Sequence, residues 1–85
     1  MEYDLQWTPR AVKELLALPT PVQERVLAAV DLLAEDPRPR GARKLVDQEE
    51  RYRIRVGDFR VLYEIYDQVL VVVIVKVADR KRAYR

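Results

Sequence analysis

The sequence predicts an α+β domain in the order β-α-α-β-β-β, with a helical hairpin packed on one face of a four-stranded sheet. Three observations carry this. Tyr52–Val56 alternates strictly between apolar and polar residues and Phe59–Ile65 does so apart from Leu62, with only Gly57-Asp58 between them. Two stretches between residues 8 and 35 open on a Thr-Pro pair and continue with apolar residues at helical spacing. Finally, Val69–Val77 is a run of β-branched residues of strand length. At 85 residues and 49% apolar content the chain supports one modest core, so residues 1–85 read as a single folded domain.

In chain order, Tyr3-Asp4-Leu5-Gln6-Trp7 alternates and reads as a first strand. Thr8 then serves as N-cap and Pro9 as the first helical residue, where its missing N–H costs nothing. Ala11, Val12, Leu15, Leu16 and Leu18 supply the apolar face, and Pro19 ends this helix. Thr20-Pro21-Val22-Gln23 repeats the start signal, with a capping box between Thr20 and Gln23. The second helix is expected to reach about Glu35 and to bury Val22, Val26, Leu27, Val30, Leu32 and Leu33. The few residues between the helices make them antiparallel. Asp36–Gly41 reads as a turn-rich loop, and Ala42–Arg51 has little periodicity. Gly57-Asp58 is a two-residue hairpin turn, with Gly57 free to take the positive φ of a type II′ turn. Asp67-Gln68 turns the chain into the last strand, which is apolar on both sides and therefore interior to the sheet.

Parity assigns the faces. Tyr52, Ile54, Val56, Phe59, Val61, Tyr63 and Ile65 share the side that packs on the helices, while Arg53, Arg55, Arg60, Leu62, Glu64 and Tyr66 share the open side. The turn makes Val56 and Phe59 the closing pair, so Arg55 faces Arg60 directly. Like charges directly across a strand pair are destabilising. Each arginine taken singly would serve to solubilise a wet sheet face; placed together they favour an anion, and a nucleic-acid backbone leads the candidates. Leu62, Val71 and Val73 on the same side form an apolar strip beside the cations.

Composition narrows the chemistry. The chain has no His, Cys, Ser or Asn. That argues against a zinc site and excludes serine and cysteine nucleophiles. Two glycines cannot make a glycine-rich phosphate loop. No metal and no cofactor are expected. No run approaches the roughly 18 apolar residues of a membrane span, and the absence of cysteine and of an N-terminal signal pattern fits a cytoplasmic protein. Net charge is +2 but uneven. Residues 1–37 carry three basic and seven acidic residues, a net of −4; residues 38–85 carry thirteen and seven, a net of +6. The basic half calls for a polyanion. In the tail Arg80-Lys81-Arg82-Ala83-Tyr84-Arg85, Tyr84 is placed to stack on a base, and its cationic neighbours would lower the phenol pKa.

The segment Tyr52-Arg53-Ile54-Arg55-Val56-Gly57-Asp58-Phe59-Arg60-Val61-Leu62-Tyr63, with Lys44-Leu45 upstream and Arg80 to Tyr84-Arg85 at the end, resembles the RelE/ParE superfamily of bacterial and archaeal toxins. The resemblance spans essentially the whole chain. It implies a RelE-branch toxin of a type II toxin–antitoxin system: a ribosome-dependent endoribonuclease that cuts mRNA in the ribosomal A site and is held inactive by a cognate acidic antitoxin. Carried over by position, Arg53 and Arg55 occupy two basic strand sites and Arg60 the phosphate-clamping site. Arg80 matches the arginine serving the leaving group, and Tyr84 the tail tyrosine. Arg43, Lys44, Arg51, Lys81, Arg82 and Arg85 complete the cationic set as RNA-binding candidates. Two positions depart from the pattern. Arg53 cannot serve as a base, because its pKa stays above about 12, and Asp79 stands where many relatives carry His. The alternatives are a ParE-like toxin that binds DNA gyrase and a catalytically idle relative that binds RNA or an antitoxin.

Overall fold

The computed structural model describes residues 2–46 and 51–79. Its elements are β1 (Asp4–Trp7), α1 (Pro9–Leu16), α2 (Thr20–Leu32), β2 (Arg43–Lys44), β3 (Arg51–Val56), β4 (Phe59–Tyr66) and β5 (Val71–Asp79). The sheet runs β1-β5-β4-β3-β2, with β1 parallel to β5 and every other pair antiparallel. The α+β class and the interior last strand agree with expectation, but the sheet has five strands where four were expected. The extra strand is β2, whose two residues are too few to show a period.

The core lies between the helices and one sheet face. Ala11 and Leu15 of α1, Val26 and Val30 of α2, and Leu33 beyond it meet Ile54, Val61, Tyr63, Val72 and Ile74. Each fully buried aliphatic side chain there contributes about 1.5–3 kcal/mol. The buried helical stripes are narrower than expected. Val12, Leu16, Leu27 and Leu32 are exposed, because each lies about 100° round its helix from a buried neighbour.

Thr8 caps α1 as its sequence requires, accepting from the Ala11 N–H at 3.1 Å. The second cap differs. Pro19, not Thr20, is the N-cap of α2, its carbonyl accepting from Val22 and Gln23, and no side chain completes a capping box. Gln23 instead turns its amide back to the carbonyls of Leu18 (2.7 Å) and Leu16 (3.4 Å), partners for groups left unsatisfied at the end of α1. The helix stops at Leu32 and turn structure fills residues 33–35.

A bulge sets the last strand. Leu62 pairs with Lys76 and Tyr63 with Ile74, leaving Val75 as an extra residue on β5. The backbone groups beside it are taken by α1 and its cap: Thr8 Oγ1 donates to the Val75 carbonyl at 3.1 Å, and the Val77 N–H donates to Glu14 Oε1 at 2.9 Å. The bulge lets Ile74 and Val77, three residues apart, both face the core. Before it, Val71 and Val73 pair with Tyr66 and Glu64 on the open side, as parity requires. The β4–β5 turn takes four residues, Asp67–Leu70, rather than two, with Leu70 at φ 55° and β5 starting at Val71.

Candidate functional site: an arginine cleft on the open sheet face

The hairpin forms in the expected register, with Val56 opposite Phe59, Arg55 opposite Arg60 and Arg53 opposite Leu62. Gly57 takes φ 59°, while Asp58 has no positive φ, a combination that fits a type II′ turn. A second like-charge pair lies beside the first, because β2 places Arg43 opposite Arg53. Two adjacent rows therefore oppose arginine to arginine across strands whose facing Cβ atoms are about 4.5–5.5 Å apart. Arg43 and Arg55 are exposed; Arg53 and Arg60 are half-buried.

A cleft of about 330 Å³ opens beside these rows, lined by Arg40, Gly41, Arg43, Arg53, Ile54 and Arg55. Among the described residues, four of the six that line it are arginines and none is acidic. Sequence reasoning passed over Arg40, which looks like a solvated charge in a proline-rich loop. The available signal was Pro39-Arg40-Gly41, a turn whose glycine fixes where the arginine sits. Gly41 has φ 95° and the Ala42 N–H donates to the Pro39 carbonyl at 3.0 Å, the pattern of a type II turn with Arg40 at its corner.

The rest of that loop is anchored. Arg38 donates to both carboxylate oxygens of Asp67, at 2.8 and 3.2 Å, and to the Tyr52 hydroxyl at 3.1 Å, with its guanidinium 5.1 Å from the Tyr52 ring centre. Tyr52 stacks on Tyr63, whose buried hydroxyl donates to the Pro37 carbonyl at 2.8 Å. Hydrogen bonds from Arg38 and Tyr3 hold the Asp67 carboxyl down at about 2. Burial pushes the Tyr63 phenol far above its ordinary value, so it stays a neutral donor.

Not every candidate joins the cleft. Arg51 donates to Glu64 at 2.8 Å, and Tyr66 donates to the other oxygen of the same carboxylate at 2.8 Å. Partial burial alone would raise the Glu64 carboxyl, but these two hydrogen bonds outweigh it and hold it below its usual value. Glu64 thus faces Arg51 across the strands. Lys44 sits opposite Tyr52, on the other side of the sheet from Arg43. Arg80, Lys81, Arg82, Tyr84 and Arg85 lie outside the described residues. The described chain ends at Asp79, opposite Phe59, with Ala78 opposite Arg60. Among the described residues no group of three or more Asp, Glu, His or Cys is placed to hold a metal. Fixed guanidiniums converging on one surface can bind phosphates and stabilise added negative charge at any physiological pH.

Residues 5–84 match the family described as the ParE toxin of the type II toxin–antitoxin system parDE. The chain belongs to the RelE/ParE toxin superfamily. The relatives and solved structures it resembles include several RelE toxins. It is 31% identical over 85 residues to the mRNA interferase toxin RelE of Escherichia coli K12, covering 98% of this chain and 88% of that protein. The fold superposes on the RelE–RelB complex of Pyrococcus horikoshii with a TM-score of 0.85 and 33% identity, covering 96% of this chain and 99% of that one. It also superposes on the toxin–antitoxin complex RelBE2 of Mycobacterium tuberculosis, with a TM-score of 0.83, 28% identity and coverage of 94% and 100%. This RelE-like toxin differs from the expected architecture in strand number alone, not in class.

Proposed function

We propose that this toxin is a ribosome-dependent mRNA endoribonuclease that cleaves by attack of a ribose 2′-OH on the adjacent phosphate. The observation that carries the reading is the doubled arginine opposition, Arg43–Arg53 beside Arg55–Arg60, on an open face with a cleft. Guanidiniums gathered in this way on one face attract a polyanion. In the reaction the 2′-oxygen forms a bond to phosphorus and the bond from phosphorus to the 5′-oxygen breaks, leaving a 2′,3′-cyclic phosphate and a free 5′-OH. Arg55 and Arg60 hold the phosphate and stabilise its added charge, while Arg53 and Arg43 align the strand. Tyr84, as the phenolate, takes the 2′-OH proton. Arg80 donates a hydrogen bond to the departing 5′-oxygen, which takes its proton from water. Neither a protein nucleophile nor a resident metal enters these steps, and the site is cytoplasmic because its substrate is mRNA in the ribosomal A site. The RelE–RelB complex of Pyrococcus horikoshii and the RelBE2 toxin–antitoxin complex of Mycobacterium tuberculosis support a cognate antitoxin here. The cationic face with its apolar strip fits an acidic segment that folds over it.

The match to the ParE family favours one other reading, a toxin that binds DNA gyrase without cutting RNA. Induction in bacterial cells, followed by mapping of RNA 5′ ends and a supercoiling assay, separates the two. New 5′-OH ends within coding regions, with supercoiling intact, support the nuclease. Loss of supercoiling without new RNA ends replaces it by the gyrase reading.

A further inference from the structure

We propose that Arg40 is a further RNA-contacting residue: with Arg43 and Arg53 it binds the phosphate flanking the one held by Arg55 and Arg60. This rests on the RNA reading above and extends it by one nucleotide. The cleft and the Arg55–Arg60 pair share Arg55, so they form one continuous cationic track rather than two sites. Arg53 and Arg55 are two residues apart on β3, a repeat of about 6.6–6.8 Å, comparable with the step between successive phosphates of an extended single strand. Among the described residues nothing acidic lines the cleft, so a bound anion meets the attraction of its four arginines.

Arg40 enters the cleft from outside the sheet, and the loop is built to hold it there. Gly41 at φ 95° and the Ala42–Pro39 hydrogen bond fix the turn around it. On its N-terminal side, Arg38 is tied to Asp67 and Tyr52, and the Pro37 carbonyl to Tyr63. The loop backbone is thus ordered in the free protein, which lowers the conformational entropy lost when a ligand binds. Arg40 itself is exposed. Its side chain is therefore available to a ligand and replaceable without disturbing the core.

The test uses a single-stranded RNA oligonucleotide bearing 2′-O-methyl groups throughout, which binds without being cut. Its affinity is measured against salt for the full-length parent and for Arg40→Ala, Arg40→Lys and Arg40→Glu, with melting temperatures confirming the fold. Arg40→Ala is expected to weaken binding about tenfold. It should also flatten the slope of log affinity against log salt by about 0.7, the loss of one phosphate contact to a single strand. Lysine should restore the slope and glutamate weaken binding further. A parent that binds, with an Arg40→Ala variant of equal affinity and slope, overturns the inference and leaves the RNA reading standing. Weaker binding with an unchanged slope also overturns it, because no phosphate contact has then been lost. A parent that binds the oligonucleotide neither alone nor in the A site of a programmed ribosome removes both.

Discussion

Arg55 illustrates what single residues in this protein are asked to do. It is exposed, faces Arg60 across the hairpin, and lines the cleft on its other side. Cross-strand pairs change stability by about 0.2–1 kcal/mol, and like charges act unfavourably. Arg55→Ala should therefore raise the urea midpoint slightly while lowering single-turnover RNA cleavage by about 10- to 100-fold, the loss of one charge-assisted contact to phosphate. A variant that is less stable and fully active would return Arg55 to a structural role. Tyr84 answers a different question, because a phenol moves protons where an arginine does not. Tyr84→Phe keeps the ring for stacking and should lose roughly 10²–10⁴-fold in the chemical step. The parent's pH–rate profile should contain a rising limb that the variant lacks. Equal single-turnover rates would remove Tyr84 from proton transfer.

At the scale of elements, Thr8 joins α1 to β5. Its hydroxyl oxygen accepts from Ala11 at the start of α1 and donates to the Val75 carbonyl at the β5 bulge, while its N–H donates to the Ile74 carbonyl. Thr8→Ala should cost about 1 kcal/mol as a lost cap, and more for the part-buried carbonyl left without its donor. Thr8→Ser should recover most of this in urea denaturation. A loss no larger for alanine than for serine would show that the hydroxyl does neither job. Sequence revealed Thr8 because a cap is a local signal: one residue type followed by proline and an apolar period. The hairpin register was legible for the same reason, since a two-residue turn and a period of two leave no freedom in pairing. What escaped the sequence depends on distant partners. Gln23 looked like half of a capping box, but the N-cap is Pro19, and the Gln23 amide donates to the carbonyls of Leu16 and Leu18 on the preceding turn of chain. The β5 bulge is fixed by Glu14, 63 residues away. Arg40 reaches the cleft from a loop whose Arg38 is bound to Asp67 across 29 residues.

Across the whole molecule, charge is divided between an acidic first part and a basic remainder, and two carboxylates hold together places that touch the site. Asp67 anchors the loop carrying Arg40, and Glu64 ties β4 to β3 through Arg51. Both carboxyls lie below their ordinary values in the folded chain, Asp67 at about 2. A depressed carboxyl favours the fold wherever the unfolded chain would bind the proton more readily. Its contribution is therefore complete above the unfolded values of about 4, and is lost as pH falls toward the folded ones. Tyr63 acts in the opposite sense. Its raised phenol stabilises the fold below about pH 10, and that contribution is lost as pH rises further. Urea midpoints should accordingly form a plateau between about pH 5 and pH 9, with separate acid and alkaline limbs. Asp67→Asn should lie below the parent on the plateau, show a shallower acid limb, and converge with the parent below about pH 2, where the parent's carboxyl becomes protonated. The same variant should weaken binding of the 2′-O-methyl RNA, because the loop loses its bidentate anchor while Arg40 remains. An acid limb as steep in Asp67→Asn as in the parent would detach Asp67 from the stability of the fold. Unchanged RNA affinity in that variant would show that Arg40 reaches the cleft without the anchor.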